Sequence, residues 1–125
     1  MHYKITLNNG VRILYERVDS VRSVSIGIWV LNGSRNEPKK LNGMSHFIEH
    51  MLFKGTKTRT ASDIAEMMDS IGGQVNAFTT KECTCFYARV LDSHFSVAVD
   101  ILTDMLFNPK LDESDLDIER GVILE

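Results

Sequence analysis

Apolar and polar positions follow two different rhythms along this chain, and the changes of rhythm mark its elements. Tyr3 to Leu7 and Val11 to Glu16 read as two strands separated by Asn8-Asn9-Gly10, with Asn-Gly supplying the positive φ angles of a tight hairpin turn. From Val21 to Leu31, Val24, Ile26, Ile28 and Val30 alternate with Ser23, Ser25, Gly27 and Trp29. That alternation predicts a central strand with one strongly apolar face and one made largely of small residues. Asn32 to Leu41, containing Gly33, Pro38 and Lys39-Lys40, breaks the pattern and reads as a polar, solvated connection.

The rhythm then turns helical. Met44, Phe47, Ile48, Met51 and Leu52 form an apolar stripe, with Asn42 or Ser45 placed to cap the helix and Gly55 placed to end it. Thr60-Ala61-Ser62-Asp63 resembles a capping box opening a second helix, which buries Ile64, Met67, Met68 and Ile71 and stops at Gly72-Gly73. Two strands follow, near Gln74 to Thr80 and Cys83 to Leu91. Phe95, Ala98, Val99, Leu102, Met105 and Leu106 recur at three- and four-residue steps, the clearest helix of the chain, ended by Asn108-Pro109. A last helix begins near Asp112, with Asp112, Glu113 and Asp115 placed at the positive end of its dipole, and is still running at Glu125, which reads as a truncation. Strands and helices in this order, with no repeat or linker, predict one α+β domain over residues 1–125 with a mixed, mainly antiparallel sheet packed against helices.

Composition narrows the function classes. A chain of 125 residues can bury about two thirds of its unfolded surface, and 43% hydrophobic with 25% charged residues is the balance of a globular protein. A net charge of −3 with scattered basic residues argues against nucleic acid as a partner, and no apolar run has membrane-span or signal-peptide length. The chain therefore reads as a cytosolic protein or a mature matrix-type protein. Cys83 and Cys85 stand two apart on a strand, on one face but too far separated for a relaxed disulfide, so they read as reduced, buried thiols rather than metal ligands. His2 and His94 read as solvated, and Met44, Met51, Met67, Met68 and Met105 as core filling.

The chemistry-bearing pattern is His46-Phe47-Ile48-Glu49-His50. A four-residue step on a helix advances about 400°, so both imidazoles project in nearly one direction, one turn apart, suited to gripping one zinc ion. Glu49 borders the same patch, where a carboxylate can take a proton from an activated water and pass it to a leaving amine. The HxxEH order is the signature of inverted zinc peptidases, and here it falls on a helix, as that chemistry requires.

Around it, Gly43-Met44-Ser45-His46-Phe47-Ile48-Glu49-His50-Met51-Leu52-Phe53-Lys54-Gly55-Thr56 closely resembles the signature of the pitrilysin/insulinase family of zinc metallopeptidases, most nearly the mitochondrial processing peptidase β-type subunits and their bacterial relatives. The resemblance continues in Trp29-Val30, in Gly33-Ser34-Arg35-Asn36-Glu37 and in Asn76-Ala77-Phe78-Thr79-Thr80-Lys81-Glu82. It implies Zn2+ as cofactor, His46 and His50 as its ligands and Glu49 as general base. It also implies a third ligand, a glutamate on a helix where another glutamate stands two turns earlier; Glu119 matches the earlier one, as an assisting acid, which puts the ligand one position past Glu125. Asn76, Ala77, Phe78 and Thr79 match the family's edge strand, to which a peptide substrate adds as a further strand, while Phe78 as a core residue stays open. Glu82 belongs either near the metal or to a surface pair.

The resemblance further implies that this is the N-terminal part of one half of a clamshell-like peptidase, whose groove is completed by the remainder of its own chain or by a second subunit. The expected function is zinc-dependent endopeptidase hydrolysis of extended peptides, the segment alone being inactive. The resemblance to processing peptidases suggests basic, targeting-type substrates. The alternatives are a non-catalytic peptide-binding or scaffold subunit of the same fold, against which an intact Glu49 speaks, and a metal-dependent hydrolase of non-peptide substrates.

Overall fold

The computed structural model describes residues 2–31, 33, 39 and 43–124, the side chains of 119–124 aside. β1 (His2–Thr6) and β2 (Arg12–Glu16) pair antiparallel as a separate ribbon, with Tyr3 opposite Tyr15 and their rings stacked at 4.9 Å. The hairpin is where it was expected, but the Asn-Gly turn with two positive φ angles is corrected. Leu7 N donates to Val11 O (2.8 Å), leaving a three-residue loop in which Gly10 alone has positive φ (90°) and Asn9 Oδ1 accepts from Val11 N at 3.1 Å. A three-residue loop needs a left-handed residue only at its end, and the asparagine side chain secures the rest.

β3 (Ser23–Val30), β4 (Gln74–Thr79) and β5 (Thr84–Leu91) form the main sheet in the order β3-β5-β4, antiparallel throughout. The expectation of β3 as a central strand is therefore corrected: among the described strands it lies at an edge. β5 is central because it is apolar on both faces, with Cys85, Phe86, Ala88 and Val90 all buried. The Ser/Gly alternation of β3 is the mark of a strand covered on one side only.

The helices are α1 (Met44–Leu52), α2 (Ala61–Ser70), α3 (Phe95–Phe107), preceded by a 3-10 turn at Asp92–His94, and α4 (Glu113–Leu124). α2 begins in the expected capping box: Asp63 N donates to Thr60 Oγ1 (3.0 Å) and Thr60 N to Asp63 Oδ2 (2.9 Å). α1 has no such cap. Gly43 (φ 84°) opens it without a side-chain hydrogen bond, Ser45 is already inside the helix and buried, and Asn42 lies outside the described residues.

α2 and α3 cover one face of the sheet. Ile64 and Met68 from α2, and Ala98, Ile101, Leu102 and Met105 from α3, close on Phe86, Ala88 and Val90, with Ile26, Ile28, Val75 and Ala77 packed alongside. The α3 stripe is thus shifted from the expected one: Phe95 is exposed at the helix start and Ile101 joins the core. α1 buries Ser45 in its first turn and Met51 and Leu52 in its last, while Met44 and Ile48 are exposed, so Met44 is not core filling as expected. Between these anchors His46 to His50 stay exposed or half-buried.

Candidate metal centre and catalytic site

α1 packs against β4 and against α4. On it, His46 is exposed and Glu49 and His50 are half-buried, and one ligand atom from each lies within 4.8 Å of the others. Among the described residues this is the one group of three or more histidine, cysteine or carboxylate side chains so gathered. The Nε2 atoms of His46 and His50 are 2.9 Å apart, with the rings edge to face at 4.4 Å. At that distance one imidazole carries a proton that the other accepts. Two nitrogens on one tetrahedral zinc lie about 3.3 Å apart, for bonds of about 2.05 Å. A side-chain opening of about 0.4 Å from the observed 2.9 Å replaces the shared proton by a metal ion, so the pair fits zinc.

The carboxylate of Glu49 is not left to swing. The hydroxyl of Thr79, the last residue of β4, donates to Glu49 Oε2. The segment following His50 is fixed as firmly. The side chain of Thr56 is buried and its Oγ1 accepts from Thr58 N (3.2 Å) and Arg59 N (3.0 Å). Arg59 Nη1 donates to Asp104 Oδ2 at 2.8 Å and Nη2 to Asp100, both on α3. Lys57 N and Lys110 N add backbone bonds to Asn108 O (3.0 Å) and Gly55 O (3.1 Å). Burial works against the charge on Asp104, but hydrogen bonds from Thr56, Asn108 and Arg59 outweigh it and hold its carboxyl below the usual range. For Arg59 the same contest ends with the guanidinium held more firmly protonated by Asp100 and Asp104.

Among the described strands β4 pairs with β5 alone, and its other edge lies beside this cluster. Thr80 N donates to Cys83 O (2.8 Å), which sets the phase of the β4–β5 ladder. By antiparallel alternation the backbone groups of Asn76 and Phe78 face β5, and those of Val75, Ala77 and Thr79 face outward. Ala77 N is taken by Asn76 Oδ1 at 2.8 Å, a contact possible only from the outward side. Phe78 is not core: it is 38% exposed on the sheet face away from the helices, edge-on to Trp29 at 5.5 Å and tilted against Tyr87 at 6.1 Å. An open cleft of about 590 Å³, lined by Phe53, Ile64, Met68, Gln74, Val75 and Asn76 among others, runs along the start of β4. It leaves out the histidines, which stand at the other end of the strand.

The remaining expected residues separate from the cluster. The backbone of Glu119 belongs to α4, which packs on α1, but its side chain, Glu125 and any position beyond lie outside the described residues, as do Ser34 to Glu37. The side chain of Glu82 is exposed in the β4–β5 turn. Cys83 and Cys85 are free thiols; burial first, and then the neighbouring Cys83, pushes the Cys85 thiol up, and neither joins the metal-ligand group. His2 is well exposed and His94 half-buried. The Thr79 clamp and the Arg59–Asp104 pair were missed by sequence reasoning; Thr79 was singled out there only as an edge-strand residue.

Comparison with known proteins decides the family. The Insulinase (Peptidase family M16) family matches residues 12–125. The chain belongs to this family. It is 55% identical over 122 residues, 98% of its length, to the uncharacterized zinc protease YmxG of Bacillus subtilis, of which that stretch is 30%. It is 45% identical over 119 residues, 95% of its length, to the probable mitochondrial-processing peptidase subunit beta of Arabidopsis thaliana, of which that stretch is 22%. In fold it matches a protease from Helicobacter pylori known by crystal structure, with a TM-score of 0.91 at 24% identity over 98% of this chain and 30% of that one. The chain thus spans less than a third of these relatives. The expected α+β architecture of the family is present: antiparallel strands packed against helices. No helix among the described residues is long and apolar enough to cross a membrane.

Proposed function

We propose that this chain carries the zinc-binding and proton-transferring part of a metalloendopeptidase that hydrolyses extended peptides. The observation that carries this is the convergence of His46, Glu49 and His50 within 4.8 Å, beside the outward edge of β4. His46 and His50 would hold zinc through Nε2, with the third ligand supplied by a carboxylate from outside the described residues and Glu119 as an assisting acid. When bound, zinc supplies a Lewis acid that brings the pKa of a water to about 7.

Glu49 is then the group that takes the water's proton, on a carboxylate oxygen, and returns it to the departing amine nitrogen as the peptide bond breaks. β4 holds the substrate. A peptide laid antiparallel or parallel along its outward side can bond the free groups of Val75, Ala77 and Thr79, with the side chain of Asn76 giving up Ala77 N. Such binding reads backbone rather than side chains, and ends beside Glu49. The rest of the polypeptide or a second subunit completes the groove; the Arabidopsis relative is itself named as a subunit.

The test compares the full-length polypeptide with its Glu49→Gln variant on an unstructured basic peptide at equal zinc content. A fall of about 10²- to 10⁴-fold in kcat with zinc retained is expected for loss of a general base. Zinc and peptide binding without cleavage by the parent, over a broad peptide panel, would instead make this a non-catalytic peptide-binding scaffold.

A further inference from the structure

We propose that the hydroxyl of Thr79 is a positioning residue for Glu49: it holds the carboxylate in the one rotamer that serves the reaction and leaves the other carboxylate oxygen free for the water. This inference rests on the metallopeptidase reading above and adds to it a task for a strand residue thirty positions away from the motif.

The geometry assigns the role. Glu49 is the one acid of the cluster, on a helix with no residue of its own contributing a bond to that carboxylate among the contacts seen, and a glutamate side chain has three rotatable bonds to fix. Thr79 is half-buried, is β-branched and therefore stiff at χ1, and stands at the end of β4 where its Cβ faces the helices. Its Oγ1 donates to Glu49 Oε2, and a hydroxyl can donate only one proton, so the bond occupies one carboxylate oxygen and leaves Oε1 to accept from water. The two halves of Thr79 then work on two different partners. Its side chain fixes the base, while its backbone N–H and C=O belong to the outward edge of β4 offered to a peptide. A bound peptide and the base are thereby located by one residue, and a misplacement of about 1 Å in such an arrangement costs on the order of 10²-fold in rate.

Thr79→Val removes the hydroxyl and keeps the shape, the strand preference and the backbone edge. In the full-length polypeptide we expect kcat to fall about 10- to 100-fold while KM changes less than about twofold, with zinc content, melting temperature and the peptide Kd of the metal-free protein unchanged. Thr79→Ser, which keeps the donor, is expected to restore most of kcat. Added to Glu49→Gln, Thr79→Val is expected to cost nothing further, because its effect runs through the carboxylate. A wild-type kcat in Thr79→Val, or an effect confined to KM and Kd, overturns the positioning role and leaves the base assignment standing. Full activity in Glu49→Gln overturns the metallopeptidase reading itself. Should Thr79→Val lose its cooperative melt, Thr79→Ala, with no γ-methyl groups to repack, carries the same comparison.

Discussion

Arg59 joins the loop that follows α1 to α3. It is 20% exposed, and its partner there, Asp104, is 11% exposed. A pair this enclosed is costly to break from one side, because the surviving charge is left without its partner. Arg59→Ala is therefore expected to destabilise the protein by about 2–3 kcal/mol by chemical denaturation. The Asp104 carboxyl also gives the pH dependence its sign. Its folded pKa lies below the ordinary 3.8, so the folded state binds fewer protons than the unfolded state as pH drops toward and below that value. Its stabilisation is complete above the unfolded pKa and is lost as pH falls through the folded one. Asp104→Asn should then lower stability at pH 6 and flatten the decline between pH 5 and pH 3, measured as denaturation midpoints. An unchanged slope would show that other carboxylates carry the acid sensitivity.

At the scale of elements, what could be read from the sequence was what is local. The capping box of α2 and the one-turn spacing of His46 and His50 are contacts across three or four residues, and both appear in the structure as expected. Strand order was not legible, because alternation in β3 reports which face is covered and not which strand lies beside it. The Glu49–Thr79 bond is invisible for the same reason: it exists only once β4 has paired with β5 and α1 has packed on β4. Gly33 shows the limit most directly. It looked like part of a polar connection, yet it is buried against the β4–β5 turn, where an added Cβ would lie 2.6 Å from Lys81 C and 2.7 Å from Glu82 N. Both are backbone atoms and cannot rotate aside. Gly33→Ala should cost about 1–3 kcal/mol, read as a lower denaturation midpoint, and a neutral substitution would mean that the turn moves freely.

On the scale of the whole molecule, two parts of the family's blocks meet in space that are distant in sequence: the α1 helix with its histidines and the end of β4. A metal ion on the histidines adds a link that only the folded chain can supply, since residues one turn apart on a helix lose their alignment when the helix melts. Zinc should therefore stabilise the full-length polypeptide by mass action, about 2.7 kcal/mol at a hundredfold excess over Kd, seen as a rise in Tm with zinc concentration and reversed by a chelator. His46→Ala and His50→Ala should each remove most of that rise, since each takes away one of the nitrogens that sit 2.9 Å apart. Glu49→Gln should keep it, because Glu49 is assigned to the proton and not to the metal. That contrast separates the roles within a single cluster without any assay of cleavage. If Glu49→Gln abolished the zinc-dependent rise as fully as His46→Ala does, Glu49 would be holding the metal, and another group would have to serve as the base.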